Sequence, residues 1–125
     1  METIMEAIGI EVVEVTKDQV IATMPVHGPT RQPFGLLHGG ASVVLAETVA
    51  SVGSAHLVDQ KTEAAVGLEI NANHIRSMRE GMVKAIGVPL HIGRTTHIWE
   101  IKITDEATDK LICVSRCTIA VVKQK

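Results

Sequence analysis

Residues 32–47 read Gln-Pro-Phe-Gly-Leu-Leu-His-Gly-Gly-Ala-Ser-Val-Val-Leu-Ala-Glu. The reading of this stretch decides the fold. Pro33 and Gly35 mark a loop, one that opens at His27 and also carries Gly28 and Pro29. After Leu37-His38 the pattern changes, and small and apolar residues run through to Val58. Between Gln32 and Val58 only Glu47 carries a formal charge at neutral pH. Such a run predicts a helix packed on nearly all its faces. A carboxylate in its middle is costly to bury unpaired. Either Glu47 hydrogen-bonds a neighbour and fixes the packing, or burial equips it as a base or nucleophile.

On both sides of this helix the sequence has strand character. Upstream, residues 3–8 predict a short helix stopped by Gly9, and residues 10–16 and 19–26 two strands turning at Lys17-Asp18. In the second strand Val20, Ala22, Met24 and Val26 share one face at the period of two. Downstream, strands are expected over 63–76, 82–92, 96–104 and 110–122, with turns at Arg79–Gly81 and Asp105–Asp109. Trp99, Ile101 and Ile103 alternate with Glu100, Lys102 and Thr104, as in an antiparallel strand with one wet face. One long helix flanked by strands is an α+β pattern, a curved antiparallel sheet around a central helix, expected as a single domain over 1–125. One sheet cannot cover both sides of that helix, so a partner is expected on the far side.

Composition narrows the function. With 125 residues, 46% hydrophobic and 21% charged, the chain can build one soluble core. A net charge of −2, one Phe, one Trp and no Tyr give no basic field and no stacking platform for nucleic acid. The apolar stretch 41–58 contains Glu47 and many small residues, which suits a buried helix and not a membrane span. The opening METIMEAIGI is acidic where a secretory signal needs basic residues, so a cytoplasmic location is expected. Cys113 and Cys117 lie four strand steps apart, roughly 13 Å, too far for a disulfide. They are read as buried small hydrophobes. No metal-ligand spacing is present, and no cofactor is expected.

The helix entrance supplies the chemistry. Gly39 and Gly40 let a ligand approach the backbone closely, and unpaired amides at a helix N-terminus attract a developing oxyanion. The bland alternative is an ordinary tight turn. Gly39 and Glu47 are eight residues apart, about 12 Å along one helix. That is too far for both to act on one carbonyl. Two antiparallel helices across a two-fold axis would bring Glu47 of one copy to Gly39 of the other. A catalytic reading therefore requires an oligomer.

The run Gln32–Glu47 resembles the signature of hotdog-fold thioesterases, in the phenylacetate-degradation and 4-hydroxybenzoyl-CoA thioesterase branch. Within it the chain is most similar to bacterial 1,4-dihydroxy-2-naphthoyl-CoA hydrolases and hydrolases of aryl acyl-carrier thioesters. The likeness extends through Gly67-Leu-Glu-Ile-Asn-Ala-Asn-His74 and Pro89-Leu-His-Ile-Gly93. The resemblance implies Glu47 as nucleophile or general base, and the Gly39 amide, helped by the Gln32 side chain, as the group polarising the thioester carbonyl. It implies that His38 holds the thioester or steadies the departing thiolate. Ser51, one turn beyond Glu47, would orient that carboxylate or the water, or serve only as a small packing residue. For coenzyme A, which here is part of the substrate, it points to Gly67, to His74, Ile75, Arg76 and Ser77, and to His91, Ile92, Gly93, Arg94, Thr95 and Thr96. Arg76 and Arg94 could meet phosphates, although Arg76, Arg79 and Lys84 flank a turn where solvated charges are usual. The family is commonly a dimer of dimers. His27, His56 and His97 are expected as surface or satisfied core histidines.

Three other functions share these features. A dehydratase or hydratase of the same fold needs a His-Phe-Pro loop or an Asp/His pair, whereas His38 is followed by Gly39-Gly40. A non-enzymatic acyl-CoA sensor needs an output module, and no DNA-binding extension is visible. Menaquinone-pathway hydrolysis and proofreading of misloaded carrier protein both fit a thioester hydrolase.

Overall fold

A computed structural model describes residues 2–124; the outermost residues of the expected 1–125 domain, Met1 and Lys125, lie outside the described residues. The chain runs α1 (Ile4–Ile8), β1 (Glu11–Val15), β2 (Val20–Val26), a 3₁₀ turn (Gly28–Thr30), α2 (Gly39–Leu57), β3 (Glu63–His74), β4 (Gly81–Ile92), β5 (Thr96–Asp105) and β6 (Leu111–Lys123). The six strands form one antiparallel sheet in the order β1-β2-β4-β5-β6-β3. α2 lies across its inner face, touching every strand.

Alternation sets the inner face. Val20, Ala22, Met24 and Val26 of β2 are buried as the period of two requires, as are Trp99, Ile101 and Ile103 of β5 and Cys113, Cys117 and Ile119 of β6. α2 answers with Ala41, Leu45, Ala46, Val49, Ala50 and Gly53. Close approach fixes the seating of the helix: a β-carbon on Gly53 would collide with the Trp99 indole, and one on Gly87 with Val49 Cγ1. The interior has no room for either.

The expectation that α2 is packed on nearly all faces is corrected by the protomer. The sheet buries one side, but Val44, Glu47, Thr48, Ser51 and Val52 on the other are only half-covered, with α1 leaning over part of them. The run lacks charge because both faces need cover, and the chain supplies cover for one.

The two sheet edges differ. β1 is five residues long, bulged between Val12 and Glu14, and carries Glu11 and Glu14, features that discourage pairing. β3 is twelve residues long and exposes Val66 and Leu68, an open template for another strand. β3 ends at His74, two residues before the expected limit, because the Ile75 and Arg76 amides both turn to the Ile112 carbonyl.

Candidate active site

The entrance of α2 is built by His38. Its backbone is extended, and its Nδ1 accepts the Gly40 N–H at 2.8 Å. Its carbonyl accepts the Ala41 and Ser42 amides at 3.0 and 3.3 Å. Among the described residues the Gly39 amide donates to no acceptor. His38 therefore caps its neighbours and leaves one free donor at the positive end of a 19-residue helix. The ring itself lies on the side of Pro29, Arg31 and Ile4, away from the cavity that Gly39 lines.

Gln32 is held by its own loop. Its Oε1 accepts the Phe34 N–H at 2.5 Å and the Leu36 N–H at 3.3 Å. Its main chain exchanges further bonds with Leu36 and Gly35 at 2.8 and 2.9 Å. With the oxygen committed, the amide nitrogen is the part left to donate. Gln32, Gly39, Ser42, His74, Ile75, Arg76 and Ser77 line one open cavity of about 360 Å³. The His74 ring presses on the helix entrance, for a β-carbon on Gly39 would stand 2.8 Å from its Nε2. The resemblance gives His74 to coenzyme A; the fold sets it beside the free Gly39 amide, a placement that spacing between residues 39 and 74 could not reveal.

Glu47 lies two turns further along, half-buried, and lines a second cavity of about 320 Å³ with Ile4, Met5, Val44, Thr48, Ser51 and Val52. Its Oε2 rests over the backbone of Gly67, where a β-carbon would stand 2.5 Å away. β3 is bulged between Gly67 and Glu69 at this point. Glycine and bulge together open the sheet for the carboxylate. Beneath it, burial pushes the Cys117 thiol up to about 12, reinforced by Glu47 and then Glu69. Cys117 is thus an inert thiol, and Cys113, also free and buried, has its pKa raised by burial alone.

The expected site residues sort into two clusters. Thr96 pairs with Ala120, and His74 with Cys113. Those two points lie seven steps apart on β6, about 23 Å. Gly67 pairs with Ile119 beside His97, so Glu47, Ser51 and Gly67 lie toward the end of the sheet that carries His91–Thr96. Gln32, Gly39 and His74–Ser77 occupy the other end. One protomer does not unite the two coenzyme A segments that the resemblance names.

The remaining histidines are structural. His97 is buried, with Nδ1 2.8 Å from Ser54 Oγ, which also accepts the Trp99 Nε1–H at 2.8 Å. His27 Nε2 reaches the Ile8 carbonyl at 3.2 Å, and His56 is exposed. No group of three or more His, Cys, Asp or Glu among the described residues is placed to hold a metal, and no helix there is long and apolar enough to cross a membrane.

The model of the thioesterase superfamily matches residues 34–112. The chain belongs to this family. As a thioesterase it is a thioester hydrolase with the hotdog fold. It is 52% identical over 122 residues to the 1,4-dihydroxy-2-naphthoyl-CoA hydrolase of Listeria monocytogenes, covering 98% of each chain. It is 45% identical over 120 residues to the proofreading thioesterase EntH of Cronobacter turicensis, covering 96% of this chain and 86% of that one. Its fold matches the crystal structure of a mutant thioesterase from Pseudomonas aeruginosa with a TM-score of 0.94 at 45% identity, covering 98% of this chain and 87% of that one.

Proposed function

We propose that this thioesterase hydrolyses aryl-CoA thioesters, 1,4-dihydroxy-2-naphthoyl-CoA among them, at sites each shared by two protomers. One observation carries the reading: Glu47 and the free Gly39 amide, about 12 Å apart along α2, line separate cavities of one protomer. A two-fold axis that pairs the open β3 edges runs the two α2 helices antiparallel. It brings Glu47, Ser51 and the His91–Thr96 hairpin of one copy to Gln32, Gly39 and His74–Ser77 of the other. The substrate carbonyl oxygen then accepts from the Gly39 amide and the Gln32 amide nitrogen. Glu47 attacks the carbonyl carbon or takes the proton of an attacking water. Either path places negative charge on that oxygen, where one such donor is worth roughly 3 kcal/mol. On the first path the C–S bond breaks to leave a Glu47–acyl anhydride and a thiolate. Water then cleaves the anhydride, restoring Glu47, releasing the acid and supplying the thiol proton. On the second, the proton that Glu47 took from water passes to the thiolate as the C–S bond breaks and the acid is released.

Likeness to the Listeria hydrolase supports the aryl-CoA class. Likeness to the proofreading enzyme supports a second reading, hydrolysis of misacylated carrier protein. Thiol release from an aryl-CoA and from the same aryl group on a carrier protein ranks the two. In either assay Glu47→Gln should keep the oligomer folded and lower kcat by about 10²–10⁴-fold. Near wild-type turnover would remove Glu47 from the chemistry.

A further inference from the structure

We infer that α1 is the wall that selects the acyl group, with Ile4 and Met5 as specificity-determining residues; this rests on the proposed role of Glu47. The cavity beside Glu47 has Val44, Thr48, Ser51 and Val52 of α2 as its floor and Ile4 and Met5 as its opposite side. Among the described residues no other element of the protomer contributes to it. An acyl carbon within reach of Glu47 must carry its substituent into the space next to that carboxylate, and this cavity is that space.

The lining fixes the class of substituent. Ile4, Met5, Val44 and Val52 are apolar, and Thr48 spends its hydroxyl on the Val44 carbonyl at 2.7 Å. Ser51 supplies the one remaining hydroxyl. Among the described residues of the protomer, Glu47 is the only charged one in the lining. A second carboxylate against this apolar lining would face the like charge of Glu47. The pocket therefore takes an uncharged acyl group, aromatic or aliphatic, with room for a hydroxyl toward Ser51. It rejects acyl groups that end in a carboxylate.

α1 lies at the margin of the core. It is five residues long and buries none of them. Its C-terminal end is pinned: Gly9 turns at φ 80°, a β-carbon on it would stand 2.9 Å from Pro25 Cγ, and the Ile8 carbonyl meets His27 Nε2. Its N-terminal end is held by the Thr3 cap on the Glu6 amide at 3.2 Å. Ile4 and Met5 thus reach across the cavity from an anchored base; Ile4 is exposed and Met5, half-buried, also packs against the core edge, and their bulk sets the cavity's depth.

The test is a kcat/KM series over benzoyl-, naphthoyl-, hexanoyl-, decanoyl- and succinyl-CoA. For wild type, succinyl-CoA should be the poorest. The double variant Ile4→Ala/Met5→Ala should shift the decanoyl-to-hexanoyl and naphthoyl-to-benzoyl ratios upward by roughly tenfold, and Met5→Phe should shift them downward. Inhibition by free coenzyme A should stay at the wild-type value in both variants. Equal change on every substrate, unchanged ratios, or succinyl-CoA among the best substrates would overturn the assignment. Glu47→Gln run on the same panel separates the two claims. If it is inactive while the α1 variants leave the ratios unmoved, the wall is wrong and the chemistry stands. If it stays active, the chemistry fails first.

Discussion

At the scale of single residues, Gly67 shows how a position takes its meaning from what rests on it. The resemblance gives it to coenzyme A, but the fold lays the Glu47 carboxylate over it. The two roles predict different kinetics. A β-carbon 2.5 Å from Oε2 meets the far end of a flexible side chain, so Gly67→Ala should fold with little change in Tm while displacing the carboxylate. A shift on the order of 1 Å in a reacting group costs about 10²-fold. The expected outcome is therefore a fall in kcat with KM nearly unchanged; a raised KM at constant kcat would return Gly67 to the coenzyme. Glu47 itself was legible in the sequence as the lone charge of an apolar helix. Gly67 was not, because nothing in residues 63–74 announces which carboxylate will lie above them. His38 was legible as a helix-entrance residue, but its capping bond to Gly40 needed coordinates to see.

At the scale of elements, local signals were read well. Thr3 and Gly9 bound α1, the period of two placed the buried side of β2, and the charge-free run gave α2. Long-range pairing is what local signals do not carry, and the sheet order and the β3 bulge come from it. So does the buried chain from Trp99 through Ser54 to His97, which ties α2 to β5 across 43 residues. Burial lowers the His97 pKa, Glu63 partly restores it, and His91 lowers it further. A histidine that resists protonation when folded binds protons more readily when unfolded. Its contribution is present above the unfolded value of about 6.5 and is lost as pH falls from there toward the lowered folded value. Thermal unfolding at fixed protein concentration should show Tm dropping as pH falls below about 6.5. His97→Asn, which keeps a partner for Ser54, should flatten that part of the curve. An unaltered slope would place the acid sensitivity in other groups.

At the scale of the whole molecule, the proposed reaction centre draws a residue from each of two copies. The half-covered face of α2, the open β3 edge and the two separated residue clusters are one fact seen three times, since each lacks what a second copy can bring. The sequence points to an oligomer through the helical distance between Gly39 and Glu47, though not to the edge through which copies would meet. Subunit mixing tests it directly. Glu47→Gln disables the carboxylate half and Gln32→Ala the donor half, so each homodimer has two damaged sites. A heterodimer gathers both substitutions into one site and leaves the other intact. With random exchange about half the dimers are mixed, each with one working site of two, so activity should recover to about a quarter of wild type. Were both halves of a site to come from a single chain, no mixture would exceed the mean of the two variants. Recovery that appears only after subunits exchange, at a rate matching the exchange itself, places the carboxylate and its oxyanion donor on different chains.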